Sequence, residues 1–372
     1  MERRIASIES FRVLAIFGVI LVHTDVLWKF RQLTGGSLFG QVTTSLVWWV
    51  SVPYFFITAG YFFRKSLRTH GKPIACLRRH VTPLVWLLLS WVFIYIMIPN
   101  NWPGEVLHHG WWQPFYSEAL KNMNLFATQH VRLFLVGDLP VWHLWFLPAL
   151  MFSLATLTLV AVYRLQRYVI PLIVSLYVLA LTEEAGRHIL SSTYSYTYDL
   201  RGWSIGLLLT ALGWWLAGRE QPSVRMALCL ILGGYAFAFM EGAVMSAFFH
   251  STPQAIRDHP YLGGILLVLG IFLLALAKPT LGQSTPLPFL AQFTLGVYVS
   301  HVLVLYTLAP IRSRMYSLWP ESQLLFAFAV YFFAVLFVLV LSKIPLARYL
   351  VTRTSSGALT QIQDGNPITD TV

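Results

Sequence analysis

The chain has 372 residues, of which 57% are hydrophobic and 11% are charged, and its formal net charge is +11 at pH 7. Soluble domains carry roughly 25% charged residues, so this composition excludes an ordinary soluble fold and indicates a protein of the lipid bilayer. The basic residues are scattered between apolar segments and form no stripe with interleaved aromatic residues, so the charge does not indicate nucleic-acid binding.

Long apolar segments recur along the chain and predict an all-α fold, a polytopic helical bundle with about ten transmembrane helices. A bilayer crossing needs about 20 apolar residues, and backbone groups in lipid are satisfied within helices. The predicted spans are residues 10–28, 42–63, 81–98, 143–163, 168–181, 200–217, 226–240, 261–277, 289–309 and 324–341. We expect residues 1–351 to form a single membrane domain and residues 352–372 to form a short polar cytoplasmic tail.

The charges between the spans predict the orientation of the bundle. With a cytoplasmic N-terminus, 16 Lys and Arg residues lie in cytoplasmic segments and nine lie in outer segments, while Arg12 lies inside the first span. The positive-inside rule therefore predicts that both ends of the chain are cytoplasmic. The longest outer segment, residues 99–142, is rich in Trp, Pro and His. Such a segment either dips into the membrane and caps a cavity, or forms an aromatic belt at the interface.

The first span carries three ionisable residues on one helical face. Arg12 and His23 are eleven residues apart, which is about three turns and a rise of roughly 16 Å, and Glu9 lies one turn before Arg12. Ionisable residues inside a span are costly and usually face a polar cavity or a partner, so this face predicts a functional site. The alternatives are a snorkelling Glu9–Arg12 pair at the cytoplasmic boundary and a hydrogen-bonded structural histidine at position 23.

Five segments of the chain form a recognisable series of motifs. The first, IESFRVLAIFGVILVH, contains Glu9, Arg12 and His23. The other four are VPYFFITAGYFF at 52–63, CLRRHVTP at 76–83, HLWFLPAL at 143–150 and FTLGVYVSHVLV at 293–304. In type and order, these segments resemble the motifs of acyltransferase family 3, the membrane O-acyltransferases of bacterial surface polysaccharides and related proteins. That family usually has Asp where this chain has Glu9.

The resemblance implies a multi-pass enzyme of the bacterial cytoplasmic (inner) membrane. Such an enzyme moves an acyl group, most often acetyl, from acyl-coenzyme A to a hydroxyl of a cell-surface or periplasmic glycan or its lipid-linked precursor. Acyl transfer to a hydroxyl needs a base, and histidine suits this role because its unperturbed pKa is about 6.5. We therefore expect His23 to be the general base, with Glu9 and Arg12 beside it in the catalytic set. A covalent acyl-histidine intermediate is the alternative.

Five arginines are candidates for binding the phosphates of acyl-coenzyme A. Arg12 lies at the cytoplasmic end of the first span, and Arg64, Arg68, Arg78 and Arg79 lie beside the same cytoplasmic mouth. Guanidinium groups bind phosphate through paired hydrogen bonds. The last four arginines fit a purely topological role equally well.

Two pairs of residues later in the chain are further substrate-binding candidates. His143 and Trp145 either anchor a span at the interface or contact a sugar or the acyl donor. Tyr298 and His301, one turn apart in the ninth span, either order the acceptor or make a structural bond between helices.

A different class of protein, an exporter of polysaccharide or lipid-linked sugar, is the competing interpretation. A transporter of that kind typically has repeated halves with broken helices in matching positions, which the sequence lacks. The sequence also lacks metal-ligand spacings such as H-E-x-x-H, so we expect no metal and no permanently bound cofactor. The expected partners are acyl-coenzyme A as co-substrate, the glycan or lipid-linked sugar, and membrane lipid, without nucleic acid.

Overall fold

The computed structural model describes residues 5–98, 102–110, 112–136, 142–189, 201–219, 222–248, 252–319, 321–345 and 347–351. Within these ranges all regular elements are helical, and no strand occurs there. The α-helices are α1 (Ala6–His23), α2 (Val26–Leu33), α3 (Leu38–His70), α4 (Pro73–Met97), α5 (Trp102–His109), α6 (Trp112–Val136), α7 (Phe146–Val162), α8 (Val169–Ile189), α9 (Arg201–Leu216), α10 (Val224–Phe248), α11 (Pro253–Asp258), α12 (Leu262–Ala277), α13 (Leu287–Leu290), α14 (Thr294–Thr307), α15 (Ala309–Leu318) and α16 (Gln323–Lys343). Short 3₁₀ turns occur at Trp142–Trp145, Gln166–Tyr168, Ala291–Phe293 and Ala347–Leu350.

In the part of the chain that the structure describes, seven helical segments are long and apolar enough to cross a membrane. They are Ala6–His23, Leu38–His70, Pro73–Met97, His143–Val162, Val224–Phe248, Leu287–Thr307 and Gln323–Lys343. Shorter apolar helices cover Gln166–Thr182, Trp203–Leu216 and Leu262–Ala277. The all-helical prediction is confirmed for the described residues, while the count of about ten crossings stays a prediction. The tail predicted at residues 352–372 lies outside the described residues.

Several boundaries differ from those predicted. The first helix ends at His23 rather than at residue 28, because the backbone at Thr24 is extended and α2 begins only at Val26. The third helix continues to His70 and ends at Gly71, whose positive φ of 65° gives the left-handed helix end that glycine favours. The predicted outer segment at 99–142 contains two helices, α5 and α6, and α6 is 25 residues long.

Close approach of backbones at small residues holds two helix pairs together. A Cβ atom at Gly60 of α3 would overlap the carbonyl oxygen of Thr210 in α9, and one at Gly213 of α9 would overlap that of Ile57. In the α10–α12 pair, a Cβ at Gly234 would come within 2.6 Å of the Leu267 nitrogen. Helices in lipid associate through such packing, since lipid tails supply no hydrophobic drive between helices.

Glu241 completes the α10–α12 contact. Its Oε1 accepts a hydrogen bond from the Leu262 nitrogen at 3.1 Å, and its Oε2 accepts one from the Gly263 nitrogen at 2.9 Å. These nitrogens belong to the first turn of α12 and have no partner within their own helix. Glu241 therefore caps α12, where a carboxylate also complements the positive end of the helix dipole.

Reporter fusions should reveal the orientation of the helices. Fusions after residues 70 and 220 are expected to report cytoplasm, and fusions near residues 110 and 255 are expected to report the outer side, because the cytoplasmic segments carry the excess of Lys and Arg. A paired alkaline phosphatase and fluorescent-protein series measures this. An outer-side signal at residue 70 would overturn the topology and the cytoplasmic position of the arginines.

Candidate functional site

The polar face of α1 meets the start of α14. Arg12 Nη1 donates to Glu9 Oε2 at 3.0 Å, and Arg12 Nη2 donates to Thr294 Oγ1 at 3.0 Å. The side chains of Arg12 and Glu9 are 28% and 16% exposed. A snorkelling pair needs no partner on another helix, so the bond to Thr294 favours a role inside the bundle.

Further along these two helices, His23 of α1 and His301 of α14 meet His143, which lies in the 3₁₀ turn before α7. The rings of His23 and His301 have centroids 5.1 Å apart and planes 21° apart, and the rings of His143 and His301 are 5.1 Å apart and inclined by 77°. His143 and His301 are buried, whereas His23 is half-buried. We call His23, His143 and His301 the histidine cluster. The burial of His143 does not fit an interface anchor.

His23 and His301 lie at a different level of the α1–α14 pair from Glu9 and Arg12. Arg12 pairs with Thr294 and His23 with His301, so α1 and α14 run in the same direction. Eleven residues of α-helix place the charged level and the histidine level about 16 Å apart along α1. The arrangement suits an elongated ligand with an anionic end and a reactive end.

Tyrosines from two helices fix the backbone around the histidine cluster. Tyr298 donates its hydroxyl hydrogen to the carbonyl of His143, so this predicted acceptor-binding residue holds the start of α7 against α14. Tyr95 of α4 donates to the Val299 carbonyl at 2.8 Å and accepts from the Leu303 nitrogen at 3.1 Å. The Tyr95 ring also lies 5.3 Å from the His143 ring. Sequence reasoning missed Tyr95, although a phenol inside an apolar span signals a buried bonding partner.

Trp145 is two residues after His143 in the sequence, and its ring packs among other aromatic rings. Its ring is stacked on that of Trp48, with centroids 6.3 Å apart and planes 16° apart, and it lies 5.9 Å from Phe56. Both tryptophans are half-buried. A flat, partly accessible aromatic surface beside the histidine cluster can stack on the apolar face of a sugar ring.

The four predicted phosphate-binding arginines fall into two groups. Arg64 Nη1 donates to the carbonyls of Trp214 and Trp215 at 2.9 and 3.1 Å, and Arg68 Nη1 donates to the Ala217 carbonyl at 3.0 Å. These bonds satisfy the C-terminal carbonyls of α9, which is a structural role.

Arg78 and Arg79 form the second group and are exposed near the start of α4. Arg79 Nη1 also donates to His70 Nε2 at 3.1 Å. Of the four arginines, these two are the better placed to meet a soluble anionic ligand, because the guanidinium groups of Arg64 and Arg68 already donate to carbonyls at the end of α9.

An apolar cleft of about 580 Å³ lies between the C-terminal half of α14 and α16. Leu303 and Val304 of α14, immediately after the His301 turn, form one wall, and Phe333 and Phe337 of α16 form another. Trp102 and Thr307 also line the cleft, and Trp102 Nε1 donates to Thr307 Oγ1 at 3.1 Å. These two polar groups are therefore hydrogen-bonded to each other. The cleft can hold hydrocarbon.

The histidine cluster does not have the arrangement of a metal centre. Among the residues with described positions, no group of three His, Cys, Asp or Glu side chains could hold a metal ion.

Comparison with known proteins gives one match over nearly the whole chain. A family model described as an acyltransferase domain matches residues 5–343. A stretch of 144 residues is 26% identical to part of an amino-acid racemase from Enterococcus faecalis, and it covers 39% of this chain and 17% of the racemase. The chain thus spans less than a fifth of that relative. No solved structure gives a significant match.

Proposed function

Because the chain belongs to acyltransferase family 3, we propose that it is an O-acyltransferase that uses acyl-coenzyme A to acylate a hydroxyl of a cell-surface or periplasmic glycan or its lipid-linked precursor. The observation that carries the proposal is the histidine cluster, two of whose members, His23 and His301, lie on the same helix pair as Glu9 and Arg12. The apolar cleft, whose wall at Leu303 and Val304 follows His301 along α14, can hold the hydrocarbon of a lipid-linked acceptor. Acetyl is the acyl group that we propose, and the bacterial cytoplasmic membrane is the location.

His23 is the general base in the proposed reaction. It takes the proton from the acceptor hydroxyl as the oxygen attacks the thioester carbonyl, forming the C–O bond. The C–S bond then breaks, and the coenzyme A thiolate takes that proton from His23 to leave as the thiol. His23 is thereby restored, and no oxidant or further reactant is needed. His23 is the most accessible member of the histidine cluster, which suits contact with the acceptor.

The acyl donor lies along α1 in this proposal. Its anionic nucleotide end lies at the level of Arg12, and its long pantetheine arm reaches the level of His23, about 16 Å away along the helix. Arg12 is half-buried at the entrance to this path, whereas Arg78 and Arg79 are exposed. Arginine suits the phosphates because its planar fork makes paired hydrogen bonds.

Arg78→Lys and Arg79→Lys are each expected to weaken acyl-coenzyme A binding about fivefold, because lysine keeps the charge but loses the fork, a difference of about 1 kcal/mol. Arg12→Lys is expected to weaken it more, since one ammonium cannot span Glu9 and Thr294 as the guanidinium does. Calorimetry on protein in nanodiscs measures the affinity. Arg225→Lys, at another exposed arginine, is the control and should bind normally. Unchanged affinity in both Arg78→Lys and Arg79→Lys would remove these arginines from the acyl-donor site.

A transfer assay tests the proposed function. Purified protein in nanodiscs is supplied with radiolabelled acetyl-coenzyme A and octyl glycosides of glucose and galactose, and the glycosides are analysed by mass spectrometry. Surface glycans of cells with and without the protein are compared in parallel. We expect an added acetyl ester in both experiments. Movement of lipid-linked sugar across vesicles without any acyl transfer would instead favour the exporter.

A further inference from the structure

The backbone of α14 fixes the tautomer of His301. Its Nδ1 lies 2.6 Å from the Tyr298 carbonyl oxygen and 3.2 Å from the Val297 carbonyl oxygen. Carbonyl oxygens only accept hydrogen bonds, so Nδ1 carries a hydrogen and donates it. In the neutral ring, Nε2 is therefore the atom with the lone pair.

The lone pair of His301 is buried. His301 is 0% exposed, and its Nε2 has no hydrogen-bond partner among the residues with described positions. A buried acceptor without a partner is destabilising, so an arrangement in which Nε2 accepts a hydrogen bond is favoured. The rings at its sides are His23 and His143, each with a centroid at 5.1 Å.

We take His23 as the donor to His301, because it is the more accessible of the two neighbouring rings and lies at a suitable distance. Two imidazoles joined by an N–H···N hydrogen bond of about 2.9 Å have centroids about 5 Å apart, which matches the 5.1 Å between His23 and His301. The two rings are stacked, with planes 21° apart, so the His23 side chain has to turn to direct a ring N–H at Nε2.

We propose that His301 is a positioning residue whose Nε2 accepts a hydrogen bond from a ring N–H of His23. This bond selects one tautomer of His23 and leaves the other His23 nitrogen to take the proton from the acceptor hydroxyl. His301 is fully buried and lies behind the more accessible His23, as an orienting group must. The inference rests on the proposed function. His301 neither gains nor loses a proton in the reaction, because it keeps the one on Nδ1 throughout.

Variants of His301 separate orientation from packing. His301→Gln places an amide oxygen near the Nε2 position, His301→Asn places its amide near the Nδ1 position, and His301→Phe keeps the ring shape only. We expect His301→Phe and His301→Asn to lower kcat at least about tenfold with unchanged KM for acetyl-coenzyme A, because His23 would then lose the group that holds its tautomer and orientation. His301→Gln should recover most of the rate. Ser300→Ala, at a buried neighbour in α14, is the control and should retain wild-type kcat.

A double variant and a spectroscopic readout complete the test. Adding His301→Phe to His23→Ala should not lower the residual rate further, because an orienting residue has nothing left to orient. Nitrogen-15 spectra of wild-type protein labelled at histidine should show a single tautomer for His23. A mixture of His23 tautomers in the wild type would overturn the inference even if His301→Phe failed to fold.

The outcomes also separate this inference from the proposed function. If the wild type transfers acetyl groups and His301→Phe keeps more than half of the wild-type kcat, the positioning role is wrong and the function stands. If the wild type transfers none to any glycoside, the proposed function fails, and the tautomer of His23 still decides whether His301 orients it.

Discussion

His23→Ala is expected to lower acyl transfer at least a hundredfold while acyl-coenzyme A binding and membrane abundance stay near wild type. A general base contributes roughly 10²–10⁴ in rate, and no other member of the histidine cluster is as accessible. A purely structural histidine would act differently, since its loss would leave partners without hydrogen bonds and would lower abundance and binding together.

Three measurements on one preparation test the role of His23. Turnover, acyl-donor affinity and folded yield are compared for the wild type, His23→Ala and His109→Ala, in which an exposed histidine outside the cluster is removed as the control. His109→Ala should match the wild type. Turnover above about a tenth of wild type in His23→Ala would be incompatible with the general base, because even the low end of the expected effect is a hundredfold.

Gly60→Val is expected to remove most of the folded protein, and Gly213→Val should do the same. At both positions the added carbon would overlap a backbone carbonyl of the facing helix, which cannot move as a side chain can. Overpacking a well-packed contact costs about 1–3 kcal/mol, and a clash with backbone lies at or beyond the upper end. Loss of the α3–α9 contact would also detach the Arg64 and Arg68 bonds to the end of α9.

Thermal unfolding in detergent and membrane abundance measure this effect. Gly233→Ala in α10 is the matched control, because an added Cβ there meets no atom within 4 Å. It should be neutral or slightly stabilising, since alanine favours a helix by roughly 0.5–1 kcal/mol over glycine. Wild-type Tm and abundance in Gly60→Val would mean that α3 and α9 are not packed as closely as described.

The sequence predicted the helical class and the shared face of Glu9, Arg12 and His23. Both follow from short-range rules, namely apolar length and the 3.6-residue period. The Arg12–Glu9 bond within one turn is an example, because residues three apart on a helix are neighbours in any fold.

Such short-range rules do not predict contacts between segments that are distant in the sequence. The meeting of His143 with His301 depends on how α7 and α14 are rotated and tilted, which packing among several helices decides. The same holds for the bond from Arg64 to the end of α9, which joins residues far apart in the sequence. Helix α6 was missed because its polar residues are spread among apolar ones, so a search for long apolar runs does not detect it.

The two bonds of Arg12 differ in when they can form during synthesis. Glu9 lies three residues away in the same helix, whereas Thr294 lies 282 residues later. The first helix can therefore enter the membrane with its arginine already neutralised by Glu9, long before the ribosome has made α14. The bond to Thr294 and the contact of His23 with His301 form only once α14 has inserted, so biogenesis keeps the reactive site incomplete until most of the chain is in the bilayer.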